Sequence, residues 1–312
     1  MGSNRVVEAV QQFITRLENK PSRYWVAYSG GVDSHVLLHA LHNLGEPVTA
    51  IHVHHGLNAL ANAWQQHCQS VCAAMQLPFY MTQLHIQCGP KDSWEAEARK
   101  ARYAYFASMV PQGDLLLTGH HQEDQAETVL LQLLRGAGPK GLSAMPAHKG
   151  PLLTVSRQEI LVYAKQHQLV WVEDESNLNE RYARNYLRQR VMPLLKQRWP
   201  SMAATLSRSA RLCAESEGLL AEYAQQLLAA CQVTEGLSIP ALKQLSVAQQ
   251  KLVLRHYLQR RAFPLPSEIK LETILNNVVY ARLDRKPVVQ WADRVATRRK
   301  TVLAIGKTSE IL

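Results

Sequence analysis

The chain has 312 residues, of which 46% are hydrophobic, and a net charge of +10. It is long enough to bury a core and to form two or three globular domains. No run approaches the roughly 18 apolar residues of a membrane helix, and the start MGSNRVVEAVQQF lacks the apolar core of a secretion signal. These features exclude a membrane-spanning or secreted protein and predict a cytoplasmic one. The five scattered cysteines are predicted to be reduced thiols.

Short β-rich runs alternate with helical patterns through the first 135 residues. The pairs are YWVAY (24–28) with helix 36–43, VTAIHVHH (48–55) with helix 61–76, PFYMTQLH (78–85) with helix 94–110, and DLLLTGH (114–120) with helix 123–135. Such alternation predicts an α/β fold with a doubly wound, Rossmann-like parallel sheet, in which ligands bind at the carboxyl ends of the strands.

Helical patterns dominate the second half. After a connector containing glycine and proline (136–151), a capping-box pattern at Ser156–Glu159 starts a helix. Residues 201–279 read as helical, and the stretch 286–306 is compatible with a return to strand. We therefore predict one domain over 1–200 and a second, mainly helical domain over 201–312.

The positive charge lies entirely in the second half. Residues 1–150 hold 11 basic and 11 acidic residues, whereas residues 151–312 hold 24 and 14, which accounts for the whole +10. The segment 181–211 contains eight basic residues and no acid. This pattern predicts a small-molecule site beside a surface that binds a polyanion, and a solvated helical face is the alternative.

The stretch SGGVDS follows the first predicted strand and opens the first helix. Unpaired N–H groups at a helix amino terminus attract anions, the two glycines permit close approach, and the serines add donors. This predicts a phosphate-binding loop. It is not a Walker loop, because G-x-x-x-x-G-K-[ST] is absent, and the G-x-G-x-x-G at 136–141 ends a helix and contains proline.

Asp33 is unexpected in a phosphate-binding loop, because a carboxylate repels phosphate unless a cation lies between them. Mg²⁺ prefers oxygen ligands, so we predict that it bridges Asp33 and the phosphates, with Asp124 as a second ligand. The alternative is that Asp33 caps the helix that follows.

Several segments resemble one family. SGGVDS resembles the loop of the PP-loop ATP pyrophosphatases. IHVHHGLNALANAW (51–64), WEAEARKARYAYF (94–106), TGHHQEDQAETVLLQLLRGAGPKGLSAM (118–145) and WVEDESNLNERYARNYLRQRVMPLL (171–195) resemble, in the family's order, the motifs of the tRNA(Ile)-lysidine synthetases. The resemblance implies that ATP adenylates C2 of the wobble cytidine in tRNA(Ile) with a CAU anticodon, releasing pyrophosphate. Free L-lysine then displaces AMP. The resemblance also implies that the domain over 1–200 is catalytic and that the domain over 201–312 binds tRNA.

Together, the loop and the resemblance predict a set of site residues. The predicted nucleotide-binding residues are Ser29, Gly30, Gly31, Val32, Asp33, Ser34 and His52. The predicted catalytic residues are Asp33, Glu95, Arg99, Asp124 and Glu127. Glu95, Arg99 and Arg102 share a helical face by their spacing, where a cation could steady the adenylate and Glu95 could orient that cation or the lysine amine. A surface ion-pair ladder is the alternative.

Asp124 and Glu127 lie within one helical turn after the fourth predicted strand, where a metal ion and a lysine ammonium both need oxygen ligands. Glu123 stands where the family usually has Asp, so we place more weight on Asp124 and Glu127.

The residues predicted to bind tRNA are Arg181, Arg184, Asn185, Arg188 and Arg190. If this segment is helical, three of its arginines share a face that would follow a phosphate backbone. Tyr182 and Tyr186 offer stacking surfaces for unpaired bases, and core packing is the equal alternative. A second basic cluster at 294–300 could extend the surface.

Other functions remain open. The 2-thiolating PP-loop enzymes resemble the chain in the loop but carry paired C-x-x-C motifs or a catalytic cysteine pair, neither of which we find. Ammonia-dependent synthetases and non-catalytic nucleotide-binding proteins are two further alternatives, but neither of these functions accounts for the basic second half of the chain.

The chain also departs from the family's pattern. A further carboxyl-terminal domain of longer family members is expected to be missing, and the connector after Met145 is shorter than the family's. The sequence fits both a monomer and a homodimer.

Overall fold

The structure is a computed structural model that describes residues 2–54, 61–84, 86, 89, 94–173, 179–282, 285 and 287–311. The chain forms two compact units, Met1–Ala214 and Glu215–Leu312. Within the described ranges, no helix is both long and apolar enough to cross a membrane.

The first unit contains the predicted parallel sheet. Its strands and the helices up to residue 134 are α1 (Gly2–Thr15), β1 (Tyr24–Ala27), α2 (Val32–Asn43), β2 (Val48–His54), α3 (Ala61–Ala74), β3 (Phe79–Gln83), α4 (Trp94–Met109), β4 (Leu115–Leu117) and α5 (Gln122–Leu134). The strand order is β3-β2-β1-β4, and every pairing is parallel. The predicted α/β class and strand–helix alternation are confirmed.

The sheet topology directs ligands to one place. β1 pairs with β2 on one side and with β4 on the other, so the strand order reverses between β1 and β4. Ligands of open α/β sheets bind outside the carboxyl ends of the strands at such a reversal. β1 is anchored by buried side chains, with Tyr24 and Val26 fully inaccessible, because both faces of a parallel sheet are covered by helices.

The rest of the first unit is helical, with short turns. Its elements are α6 (Pro139–Leu142), a 3₁₀ turn (Ala147–Lys149), α7 (Arg157–Gln166), α8 (Ala183–Tyr186), a π-helical turn (Leu187–Val191), α9 (Met192–Arg198) and the start of α10 (Met202–Cys231). The predicted capping box starts α7: the Ser156 N–H donates to Glu159 at 2.7 Å, and the Glu159 N–H donates to the Ser156 hydroxyl at 3.3 Å.

The second unit combines helices with an antiparallel sheet. After α10 come β5 (Gln232–Val233), β6 (Gly236–Ser238), α11 (Ile239–Lys243), α12 (Val247–Arg260), α13 (Glu268–Ile274), a π-helical turn (Leu275–Val279), β7 (Val288–Trp291), β8 (Arg294–Arg299), β9 (Val302–Lys307) and α14 (Thr308–Ile311). The sheet order is β5-β6-β9-β8-β7. The expected return to strand is confirmed, and the mainly helical stretch 201–279 also contains the two short strands β5 and β6.

Candidate active site

The loop between β1 and α2 has the geometry of an anion cradle. Gly30 has a φ of +86°, and a Cβ atom there would lie 2.9 Å from Cys68 Sγ, so both backbone and space require glycine. The Ser29 N–H donates to Ser34 Oγ at 3.1 Å, and Ser34 Oγ donates to the Gly31 carbonyl at 3.1 Å. α2 begins at Val32, four residues before the predicted start, so the loop sits directly on the helix amino terminus.

The segment after β4 lies against this loop. A Cβ atom on Gly119 would be 2.7 Å from the Ser34 backbone nitrogen and 2.8 Å from the Asp33 carbonyl carbon. Only glycine permits two backbones to approach this closely. The contact brings the residues that follow β4, beginning with His120 and His121, beside the loop at the sheet's reversal point.

Asp33 lies at this junction with one oxygen unsatisfied. Its Oδ1 is buried and has no hydrogen-bond partner, and the nearest cationic group is His121 Nε2 at 3.9 Å. Burial raises the pKa of Asp33, and the charge of Asp124 raises it further. The charges of His121, Arg157 and Arg188 act in the opposite direction but do not cancel the rise. The residue that caps α2 is Gly31. A buried carboxylate oxygen without a donor is suited to a cation ligand.

Magnesium fits Asp33 better than it fits Asp124. Mg²⁺ in phosphate sites is held by one or two carboxylates together with substrate phosphates, and Asp33 Oδ1 is available for this role. Both oxygens of Asp124 already accept hydrogen bonds. Among the described residues, no group of three or more His, Cys, Asp or Glu side chains could hold a metal ion by itself. The predicted ligation by Asp124 stays a prediction and requires an exchange of partners.

Asp124 and Glu127 form an ion-pair cluster with Arg184 and Arg188. Arg184 Nε donates to Glu127 Oε2 at 2.9 Å, and Arg188 Nε donates to Glu127 Oε1 at 2.7 Å. The Nη2 atoms of the two arginines lie 3.1 Å and 2.8 Å from Asp124 Oδ1. The Glu127 side chain is 2% exposed. Two forked guanidinium groups therefore clamp two buried carboxylates.

The structure brings together four residues whose sequence contexts predict two separate roles. The acids had been predicted to serve catalysis and the arginines to bind RNA. The signal for a cluster was present, because the acids are spaced i, i+3 and the arginines i, i+4, so each pair shares one helical face. What sequence could not show is that the two faces meet across 57 to 64 residues.

The other predicted RNA-binding residues are placed differently. Arg181 lies before the start of α8, and a π-helical turn follows the end of α8. The single helical face expected for these arginines is therefore interrupted. Arg181 is exposed, and Arg190 is exposed in a pair with Glu180 at 2.8 Å. Asn185 Nδ2 donates to the Asn179 carbonyl. Their role toward RNA stays a prediction.

The two tyrosines beside these residues are not core residues. Tyr182 is 41% exposed and Tyr186 is 52% exposed, so both rings are accessible for stacking. In the second basic cluster, Arg294 stacks over Phe263 at 4.2 Å, and Arg298 donates to the carbonyls of Ala281 and Lys300. These two arginines are therefore largely engaged in holding their own unit.

His121 is a site residue for which the sequence predicted no role. Its Nδ1 lies 3.0 Å from Glu123 Oε2, and its backbone N–H donates to Asp124 Oδ2 at 3.0 Å. Burial alone would lower the pKa of His121, but the hydrogen bond to Glu123 and the charges of Asp124 and Asp33 outweigh it and raise the pKa. His121 lies 3.0 Å from Glu123, 3.4 Å from Asp124 and 3.9 Å from Asp33, and these three carboxylates favour its protonated form. The pair of histidines that follows β4, His120 and His121, was the sequence feature that could have indicated this role.

The raised pKa of His121 predicts a pH-dependent stability. Its contribution is fully present below the ordinary histidine value of 6.5 and is lost as the pH rises through the higher folded value. We expect the free energy of unfolding to differ more between wild type and His121→Gln at pH 6 than at pH 9, measured by urea unfolding. A difference that is the same at both pH values would contradict the charged pairing.

The remaining predicted residues lie around the same edge of the sheet. His52, at the end of β2, is buried, and its Nδ1 donates to the Tyr28 carbonyl at 2.8 Å. Burial lowers its pKa, so the ring is neutral and its Nε2, which has no partner, is an acceptor. Arg99 on α4 stacks over Tyr103 at 5.1 Å. Glu95 is also on α4, but its side chain lies outside the described residues.

Comparison with known proteins agrees with this geometry. Residues 3–195 match the family model of the PP-loop domain, and residues 237–303 match that of the TilS substrate binding domain. The chain is 45% identical over 296 residues to the tRNA(Ile)-lysidine synthase of Coxiella burnetii, covering 91% of this chain and 66% of that protein. The chain belongs to the tRNA(Ile)-lysidine synthetase family of PP-loop proteins.

A second member of this synthetase family gives the same result. The tRNA(Ile)-lysidine synthase of Serratia proteamaculans is 44% identical over 280 residues, which are 85% of this chain and 64% of that protein. The chain thus spans slightly less than two thirds of the length of these synthetases.

A solved structure shows the same fold. The U34-tRNA thiolase NcsA from Methanococcus maripaludis, with its [4Fe-4S] cluster, has a TM-score of 0.53 and 18% identity, covering 68% of this chain and 79% of that chain. At this identity, the likeness concerns the fold alone.

Proposed function

We propose that this protein ligates lysine to C2 of the wobble cytidine of tRNA(Ile) with a CAU anticodon, using ATP and Mg²⁺. The observation that carries the proposal is Asp33, whose buried and unpartnered oxygen lies in a glycine loop on a helix amino terminus. A carboxylate in that position suits a cation that accompanies phosphates. Family membership and the match of residues 237–303 to a TilS substrate binding domain support the tRNA substrate. Such a substrate also supports a cytoplasmic location.

The proposed reaction has two steps. The oxygen on C2 of the cytidine attacks the α-phosphorus of ATP, and pyrophosphate leaves. The ε-amine of lysine, having lost its proton, then attacks C2, and AMP leaves with that oxygen. The loop from Ser29 to Ser34 binds the departing pyrophosphate through backbone N–H groups and hydroxyls, and His52 offers an acceptor to the nucleoside. Arg99 steadies the charge on the adenylate.

Asp124 and Glu127 are proposed to attract the lysine ammonium. Because the acids are clamped by Arg184 and Arg188, they reach lysine only where an arginine gives up one oxygen. When bound, Mg²⁺ would be held by Asp33 and supplies charge neutralisation between the carboxylate and the phosphates. The domain assignment, catalysis within 1–200 and tRNA binding within 201–312, also remains a proposal.

The test is incorporation of labelled lysine. We expect incorporation into tRNA with a CAU anticodon only when ATP and magnesium are both present, with one AMP and one pyrophosphate released per lysine. If instead no lysine is transferred and a small acid or nucleotide is aminated from ammonia, the chain is a different PP-loop synthetase.

The exposed arginines give a separate prediction about RNA. Arg181→Gln and Arg190→Gln should each weaken binding of the tRNA and lower the slope of log K against log salt by about 1, because each removes one phosphate contact. Binding is measured by filter assays at several salt concentrations. Arg16→Gln, a change at an exposed arginine after α1, is the control and should leave the slope unchanged. An unchanged slope in both test variants would remove these residues from the RNA surface.

A further inference from the structure

A small cavity with two cationic residues in its lining lies beside the active site, and apart from Arg99 the residues that line it have no role in the proposal above. It encloses about 40 Å³, and its polar lining comes from Arg99, Tyr103, Thr118, His120 and Lys149. Room for one water needs about 10–15 Å³, so the cavity holds about three waters. That space suits a carboxylate and is too small for a nucleotide. Met145, Pro146 and Leu153 add an apolar wall.

The backbone of Lys149, one of the residues that line this cavity, is fixed by Thr118. Its carbonyl accepts the Thr118 N–H at 2.9 Å and the Thr118 hydroxyl at 3.3 Å. The next residue, Gly150, is buried, and a Cβ atom there would lie 2.6 Å from Leu153 Cγ. The 3₁₀ turn that ends at Lys149 is therefore held against the end of β4, in the short connector after Met145.

The charge in the cavity is positive. No carboxylate among the side chains that the structure describes forms an ion pair with Arg99 or Lys149. The Thr118 hydroxyl donates its single hydrogen to the Lys149 carbonyl. Thr118 Oγ1 therefore accepts from His120 Nδ1, which lies 2.8 Å away. Burial lowers the pKa of His120 to about 4, so its ring is neutral. Arg99 and Lys149 are therefore the two cationic residues of the lining.

Adjacent residues thus border the cavity and the acid cluster, whose carboxylates become available to a ligand where Arg184 or Arg188 gives up one oxygen. His120 lines the cationic cavity, and His121 contacts the acid cluster through Asp124. Consecutive Cα atoms are about 3.8 Å apart. A zwitterionic amino acid, with its carboxylate on one side and its ammonium groups on the other, matches this arrangement of charge. The phosphates of ATP already have their own cradle in the loop before α2.

We propose that Lys149 binds the α-carboxylate of the lysine substrate, with Arg99 adding positive potential, so that the enzyme selects a free amino acid over a simple diamine. This rests on the proposed function for the identity of the amino acid. A charged hydrogen bond of this kind contributes about 1.5–3 kcal/mol, which is roughly 10- to 100-fold in affinity.

The experiment measures equilibrium binding of L-lysine and of lysinamide, whose carboxylate is replaced by a neutral amide, to the full chain. Wild type should bind lysine at least about tenfold more tightly than lysinamide. Lys149→Met should weaken lysine binding about tenfold and leave lysinamide binding unchanged, while Lys149→Arg should keep the preference. Lys140→Met, at an exposed lysine of α6, is the matched control and should behave as wild type.

Three results would overturn the proposal. Lys149→Met could lose the same affinity for lysine as for lysinamide, it could bind ATP more weakly while binding lysine normally, or the wild type could fail to bind lysine. Transfer of AMP from ATP to tRNA needs no lysine, so the same preparations show separately whether the proposed function holds. The melting temperature of Lys149→Met is measured alongside to confirm that it folds.

Discussion

Asp33→Ala is expected to lower the rate of AMP transfer from ATP to tRNA by at least about 100-fold, because it removes the carboxylate that holds a cation against the phosphates. The structure adds an expectation about stability. Since the folded protein raises the pKa of Asp33, its ionised form is disfavoured by folding at neutral pH. Removing it should leave the melting temperature unchanged or raise it.

The measurement combines single-turnover transfer of AMP, affinity for tRNA and thermal unfolding. Asp114→Asn is the matched control, because Asp114 precedes β4 at the opposite end of the sheet, where it accepts the Trp25 Nε1 hydrogen at 2.8 Å. The control should retain activity. An Asp33→Ala protein that loses tRNA affinity and stability together with transfer would assign Asp33 a structural role.

Glu127→Ala is expected to reduce the free energy of unfolding of the first unit by about 3 kcal/mol. Glu127 is 2% exposed and accepts from both arginines, so its removal leaves two partly buried guanidinium groups with only Asp124. The arginine side chains are 27% and 31% exposed, so water solvates part of their charge in the variant. The expected loss of unfolding free energy is therefore at the low end of the range for a buried ion pair.

Urea unfolding of Glu127→Ala gives the loss directly. The matched control is Glu180→Ala, whose partner Arg190 is at a similar distance of 2.8 Å but is 65% exposed. An exposed pair contributes less than about 1 kcal/mol, so the control should unfold nearly as wild type does. Equal losses in the two variants would show that the cluster is not held as the structure places it.

The fold was largely predictable because its signals are local. Alternating strand and helix patterns located β1 to β4 and the helices between them within a few residues, and the Ser156–Glu159 capping box was read from four letters. The start of α2 was missed by four residues because its first turn, Val32–His35, follows two glycines and contains three polar residues, and these signals compete with the helical pattern. β5 and β6, with two and three residues, are too short to show periodicity.

The candidate site was predictable only in part, because its geometry depends on contacts between distant segments. The glycine loop and Asp33 follow from local chemistry. The clamp of Arg184 and Arg188 on Asp124 and Glu127 does not, because sequence spacing shows which residues share a face but not which faces meet. The cavity at Lys149 was hidden for the same reason, since it joins α4, the end of β4 and the connector after Met145.

We propose that the loop containing Asp33 directs the transfer of AMP from ATP to tRNA. This step is measured by incubating the protein with ATP labelled at the α-phosphate and tRNA with a CAU anticodon, in magnesium and without lysine. Label should become attached to the tRNA with release of pyrophosphate, and added lysine should then release the label as AMP. Label that stays in ATP until lysine is added, or that leaves as ADP, would rule out this role of the loop.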